Sequence, residues 1–371
     1  AHPRLSTDGR RFARSRRPDA AGGGAGAGER GGDRGEAGLG AVSLFDHMLS
    51  TDPPDHTRLR RLVSQAFTPR RIETLRPRIE EIAGSLLDGL AGLDQVELIG
   101  DFAFPFPIRV ICELLGVPVA DQGRFRRWFT TMLTAGGGGE AGRAAAGEAG
   151  AQVAGYITEL LAAKRDRPCD DLVSALVAAR DGSQALGERE LVSMVFLLLL
   201  AGHETTVNLI GNGVAGLLLH PDQLELLRTS PELIPGAVEE LLRYDGPVQH
   251  PTLRFTTEAV QLGGTTIPAG AIVLVALGSA DRDPARFEMA DDLDIRRAPD
   301  QHLAFGHGIH FCLGAPLARM EVQVALFFLL GRFPHLALAV APEELDWRDG
   351  IFLRGLRSLP LRLSGASPAR G

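Results

Sequence analysis

Phe305-Gly-His-Gly-Ile-His-Phe-Cys-Leu-Gly314 sets one cysteine, Cys312, among three glycines, two histidines and two phenylalanines. That pattern suits a thiolate ligand to the iron of a flat macrocycle such as haem. Glycine has no Cβ to clash, so Gly306, Gly308 and Gly314 let the backbone turn tightly and come close to such a ring, and Phe305 can shield the sulfur. Ala315-Pro316-Leu317-Ala318-Arg319 then opens an apolar helical stretch to about Leu330, with proline near its first turn. Cys312 therefore falls at a helix N-terminus, where the partial positive charge and the free N–H groups favour thiolate over thiol. An isolated cysteine would be read as a buried structural residue in a glycine-rich turn; the flanking residues favour a ligand.

Three further groups carry chemistry. The apolar periodicity of 187–219 is interrupted by Ala201-Gly-His-Glu-Thr-Thr206. A buried Glu204 needs a partner, Gly202 costs about 1 kcal/mol relative to alanine, and Thr205 and Thr206 compete for backbone carbonyls. Together they predict a helix that opens locally to admit ligand or water; a satisfied polar patch between helices is the plainer reading. Glu240 and Arg243 are helix neighbours at i and i+3, a pairing usually found solvated on a surface. His56 and Arg60 stand one turn apart in Asp52-Pro-Pro-Asp-His-Thr-Arg-Leu-Arg-Arg61, Arg254 lies in a β-like segment and His310 two residues before the cysteine, all of them candidates to meet anionic groups.

Matching at Phe305, Gly308, His310, Cys312 and Gly314, the cysteine loop resembles the proximal loop of the cytochrome P-450 family, soluble bacterial haem-thiolate monooxygenases among them. The likeness runs from the opening Ala1-His-Pro-Arg-Leu-Ser-Thr-Asp8 to beyond Arg319. It implies a mainly α fold with a small β region, a helical body plus small antiparallel sheets, and haem between a long distal helix and the proximal cysteine-loop helix. The cofactor implied is haem b, iron protoporphyrin IX, with Cys312 as axial ligand. His56, Arg60, Arg254 and His310 would meet its propionates, and Phe305, Gly306, Gly314 and Ala201 would also contact it. Glu204 and Thr205 correspond to the acid–alcohol pair that delivers protons for oxygen activation, with Thr206 supporting. Glu240 and Arg243 match a buried structural pair that braces the meander ahead of the cysteine, and Ser279-Ala-Asp-Arg-Asp-Pro284 is structural, with Asp281 where asparagine is common.

The same resemblance implies insertion of one oxygen atom from O2 into a bulky, mainly hydrophobic small molecule, by hydroxylation or epoxidation, as in polyketide or macrolide tailoring. Substrate is expected against Val195, Leu198, Ala201 and Thr205 of the distal helix and against Val248 and Thr252 within Pro247–Leu253. No flavin or iron–sulfur signature follows the cysteine loop, so electrons are expected from a separate ferredoxin and reductase, with Arg58, Arg61, Arg70 and Arg71 as a cationic docking face. The family's usual N-terminal helix and first strands are missing upstream, so a single haem-thiolate domain over 1–371 lacking them is expected. The glycine-rich 21–40 stands where a substrate-covering loop belongs.

Bulk properties agree. A length of 371 residues leaves room for a core and a cofactor. A formal net charge of -7 argues against a nucleic-acid partner. Three scattered cysteines, Cys112, Cys169 and Cys312, form no disulfide framework and fit a reducing cytoplasm. Met194 to Ala201, the most apolar run, falls short of the roughly 20 residues that span a bilayer, so no membrane partner is expected. Gly26-Ala-Gly-Glu-Arg-Gly31 matches a dinucleotide fingerprint but follows a polar, arginine-rich stretch instead of a strand. Helical periodicity is expected at 57–66, 70–92, 106–115, 121–134, 147–165, 169–180, 187–219, 221–229, 231–244 and 315–332, with a flexible break at Gly136–Gly139. Short β pieces are expected at Thr252–Phe255, Ala259–Leu262, Ala271–Leu277 and near 351–363. Two rivals stand beside the oxygenase: a haem-thiolate sensor or carrier, and a zinc hydrolase using His307, His310 and Cys312.

Overall fold

The structure is a computed structural model and describes residues 4–8, 44–134, 139–298 and 302–363. Where apolar residues recur at helical spacing the chain is helical: α1 (Asp55–Ala66), α2 (Pro69–Thr74), α3 (Arg76–Asp88), α4 (Pro105–Leu115), α5 (Gln122–Thr134), α6 (Gly139–Asp166), α7 (Leu172–Ala178), α8 (Glu188–Leu219), α9 (Pro221–Thr229), α10 (Ile234–Asp245), α11 (Leu277–Ala280) and α12 (Ala315–Arg332). The helix expected over 70–92 is two helices. Pro77 has no N–H to give to the carbonyl of Glu73, and the chain turns at Leu75, whose N–H bonds the Ile72 carbonyl at 3.0 Å. α6 begins at Gly139, earlier than expected, because its alanine-rich opening keeps the helix; residues 135–138 and the 21–40 segment, with its dinucleotide-like glycines, lie outside the described residues.

Helix α8 forms the axis of the fold. The Glu190 carboxylate takes the free Gly187 N–H at 2.9 Å, and the helix stops at Leu219 before His220-Pro221. It is unbroken over 32 residues, so the local opening expected around Gly202 is not present. The glycines serve packing instead: a Cβ on Gly202 would stand 3.1 Å from Ile111 Cδ1 of α4, and one on Gly211 would stand 2.7 Å from Ile99 Cδ1. By length and composition α8 could cross a membrane, which the eight-residue run Met194–Ala201 understated. Its sides are covered instead by α4, α6, α10 and α12, which is why its apolar residues show no single polar face.

Around it α3, α10 and α12 close a bundle that packs into one continuous apolar core. The small sheets are antiparallel. β1 (Leu5–Ser6), β3 (Arg254–Thr256) and β6 (Ile272–Val273) lie in the order β1-β3-β6; β2 (Gln95–Glu97), β8 (Pro360–Arg362) and β7 (Ala337–Leu338) in the order β2-β8-β7; β4 (Val260–Leu262) pairs β5 (Thr265–Ile267). The expected mainly α body with small antiparallel sheets is what the chain forms. The strand expected over 271–277 is confined to β6, since Leu277 already begins α11.

Candidate active site

The cysteine loop is built as its glycines require. Gly306 and Gly308 both have φ of 74°, a left-handed conformation that a side chain would strain. The turn brings the Cys312 N–H to the Phe305 carbonyl at 2.9 Å and ends at Gly314, the residue that precedes α12. Burial pushes the Cys312 thiol up; the N–H groups of Gly314 and Ala315 and the cations Arg60 and Arg319 oppose it by favouring the anion. A Cβ on Gly314 would stand 3.9 Å from the sulfur, so loop and sulfur are in close apposition.

Four residues from three separate segments converge beside this loop. The His56 and His310 rings meet edge to face at 4.5 Å. Arg60 donates to the Phe311 carbonyl at 2.8 Å, and Arg254 donates to the Thr252 carbonyl at 2.7 Å. Burial holds His310 down to about 4, reinforced by His56, Arg254 and Arg60, and burial followed by Arg60 lowers His56. Asp52, the carboxylate that acts on both histidines, is already taken by Ser6 and Thr7. Both ring nitrogens of His56 and Nε2 of His310 are buried with no hydrogen-bond partner among the described residues. Buried polar atoms without partners are rare. Converging cations and orphaned donors fit an anionic group seated there, and two propionates have that chemistry.

On α8, Glu204 is buried and its Oε1 accepts from Nη1 of Arg348. Thr205 donates back to the Ala201 carbonyl at 2.7 Å and Thr206 to that of Gly202 at 3.3 Å. Ala201 is exposed, Thr205 half-buried and Leu198 nearly buried, all on the stretch expected to face substrate. Val195 does not join them: it has no accessible surface and belongs to the core, because its position on the helix points it at neighbouring helices. Val248 bridges Leu353, and the Gln249 N–H reaches the Phe352 carbonyl at 3.0 Å. This brings the exposed side chains of Ile351 and Phe352 beside the 247–253 segment, two apolar residues that sequence reasoning did not assign. The Thr252 hydroxyl is occupied by Arg254.

Glu240 and Arg243 are fully enclosed, each side chain 2% exposed. Arg243 Nε and Nη2 grip the carboxylate at 2.7 and 2.8 Å, and its remaining N–H groups cap the carbonyls of Asp281, Ala290 and Asp292. Arg297 adds a second guanidinium to Glu240 at 3.1 Å, a member of the network that no local spacing announced. Burial raises Asp281, whose carboxylate accepts the Leu303 N–H at 2.6 Å at the head of the cysteine loop.

Two expectations change. Arg58 is closed on Glu190, Arg61 on Asp181 and Arg71 on Asp170, so three of the four arginines expected to form a docking face have their charge paired. No cluster of three His, Cys, Asp or Glu side chains that could hold a metal ion occurs among the described residues, and His307 is exposed, which removes the zinc arrangement.

Comparison with known proteins agrees with this geometry. Residues 230–354, from just before α10 through the cysteine loop to the C-terminal loop, match the family model described as Cytochrome P450. The chain is 55% identical over 319 residues to Cytochrome P450 107B1 of Saccharopolyspora erythraea, covering 86% of this chain and 78% of that protein. It is 48% identical over 321 residues to the polyketide biosynthesis cytochrome P450 PksS of Bacillus subtilis, with coverage of 86% and 78%. Among solved structures, the tirandamycin C-bound P450 monooxygenase TamI superposes with a TM-score of 0.84 at 50% identity, covering 98% of this chain and 86% of that one.

Proposed function

Because this chain belongs to the cytochrome P450 family and is an oxygen-incorporating monooxygenase, we propose that Cys312 is its haem-iron ligand, that the haem is haem b, and that its substrate is a bulky, mainly hydrophobic polyketide-type molecule. The observation that carries the cofactor part is the group of His56, Arg60, Arg254 and His310, whose two histidine rings meet beside the Cys312 loop with orphaned ring nitrogens. Two carboxylates would satisfy them. The bound haem supplies oxygen activation and the oxidising power.

The rest falls to the protein's own side chains. Gly314 and Ala315 N–H groups stabilise charge on the Cys312 sulfur, and Phe305 covers it. Gly306 lets the loop lie flat. Glu204, reached from solvent through the partly exposed Arg348, and Thr205, one residue on, hold and hand over protons on the distal side, with Ala201 leaving room beside them. Leu198, Ala201, Thr205, Val248 and Thr252 offer a mostly apolar wall that orients substrate and excludes water. The relative named for polyketide biosynthesis supports the substrate class. A sensor or carrier would have no use for the Glu204-Thr205 pair.

Electrons come from a ferredoxin-type donor. With Arg58, Arg61 and Arg71 paired, docking relies on the exposed Arg70 and on the rim of the cysteine loop, where Ile309 and Phe311 are exposed. The three unpaired cysteines suit a reducing cytoplasm. Purified holoenzyme should show the thiolate band of the ferrous carbonyl complex. With ferredoxin, its reductase and NADPH it should place one atom from labelled O2 into a member of a polyketide panel. A nitrogen-type carbonyl band would remove Cys312 as ligand, and no labelled product across the panel would remove the substrate class.

A further inference from the structure

Two consecutive carboxylates on α10 serve different networks. Glu240 holds Arg243 and Arg297, while Glu239, about 100° around the helix, faces the cysteine loop. Arg319 of α12 donates to Glu239 through Nε and Nη2, each at 2.7 Å, and His302 Nε2 lies 3.1 Å from Oε2. The Arg319 guanidinium also lies over the Phe305 ring, 4.5 Å from its centroid. Phe305 is thus held twice, by a cation on its ring and by the Cys312 N–H on its carbonyl. Arg319 is one of two cations that act on the Cys312 sulfur. Burial works to raise the Glu239 carboxyl, and the hydrogen bonds from Arg319 and His302 outweigh it and hold the group down to about 2, so the pair is a full charge pair at neutral pH.

We propose that Glu239 and Arg319 form a balanced charge pair that sets how strongly the Cys312 thiolate donates electron density, and through it the reduction potential of the bound haem. Arg319 is a positioning residue that acts through Phe305 and through its field at the sulfur. A cation near the thiolate draws charge onto sulfur and away from the metal, which favours the reduced state; the carboxylate beside it cancels much of that field. Removing one charge leaves the other unopposed, so the two losses act in opposite directions.

The inference rests on Cys312 as ligand, which the thiolate carbonyl band of the unsubstituted enzyme tests separately. Equilibrium reduction titrations of holoenzyme at neutral pH should show Glu239→Gln raising the midpoint and Arg319→Gln lowering it, each by about tenfold in the one-electron equilibrium, or ~59 mV. The double variant, a neutral hydrogen-bonding pair, should return close to the unsubstituted value. A brace without electrostatic function would shift both single variants the same way, since both break the same contacts; shifts of one sign, or no shift in either, overturn the proposal. Should a single variant not hold haem, Glu239→Asp and Arg319→Lys keep both charges and should leave the midpoint in place, and a tenfold change in either sinks the idea.

Discussion

Arg348 donates to the Glu204 carboxylate across 144 residues of chain, tying the C-terminal loop to the middle of the distal helix. The tie is repeated along one stripe of α8: Asn212 Nδ2 reaches the Arg354 carbonyl at 3.2 Å, and Gly355 lies so near Asn208 that a Cβ there would stand 2.2 Å from Oδ1. Residues 204, 208 and 212 recur every four positions, so one helix face carries the whole seam. The loop that exposes Ile351 and Phe352 therefore also holds the partner of the buried Glu204. Glu204 is 4% exposed, and a buried carboxylate needs such a partner.

Glu204→Gln should slow product formation roughly 10²-fold, the usual yield of a positioned acid or base. Arg348→Gln, which leaves the acid in place without its cation, should cost about tenfold and raise the oxygen consumed per product. Product and oxygen measured together would settle it; a ratio unchanged in both variants would take Glu204 out of proton delivery.

Arg243→Ala should fail more severely than its distance from the cysteine suggests. It removes five hydrogen bonds and leaves Glu240 with Arg297 and the Asp294 N–H, a loss of about 3–5 kcal/mol for a broken buried pair. Arg243→Lys cannot reproduce the fork and should rescue little. Urea unfolding of the two variants is the check, and a loss within the scatter of surface substitutions would contradict the brace.

Replacing His56 or His310 with phenylalanine keeps the ring and removes the donors. Each should weaken haem retention by about 10- to 100-fold, as expected for one hydrogen bond to a charged group. Transfer of haem to an apoglobin acceptor reads this directly. Removing haem from the unsubstituted protein should lower its melting temperature, because the Arg60 and Arg254 guanidinium groups and the orphaned nitrogens of His56 and His310 then lose the anionic groups that would satisfy them.

Two groups should shape acid stability. Burial holds His47 at about 4, below its ordinary 6.5, so the stability it contributes is complete above 6.5 and is lost as pH falls towards 4. Glu239, held at about 2 against an ordinary 4.5, contributes stability present above 4.5 that is lost as pH falls towards 2. His47→Gln should flatten the unfolding free energy over the first window and Glu239→Gln over the second. A variant whose pH profile parallels the unsubstituted protein would mean that its group carries no linkage.

The cysteine loop, the His56/Arg60 turn and the Glu240–Arg243 pair were legible from sequence because each is local. A glycine that needs positive φ, or two side chains one helical turn apart, carries its geometry within a few residues. Periodicity likewise placed α9 and α12 to the residue, but it could not say which side of α8 the packing leaves uncovered, so Val195 was expected at a substrate wall and lies in the core. Composition marked Arg58, Arg61 and Arg71 as a cationic face without showing that Glu190, Asp181 and Asp170 close on them. The sequence by itself determined the cysteine loop, the helical body and the polar break in the long helix α8. Only tertiary structure decided that Glu204 meets Arg348 and that Glu239 meets Arg319, because those partners are distant in the chain and come together only when packing of the helices and the C-terminal loop fixes their separation.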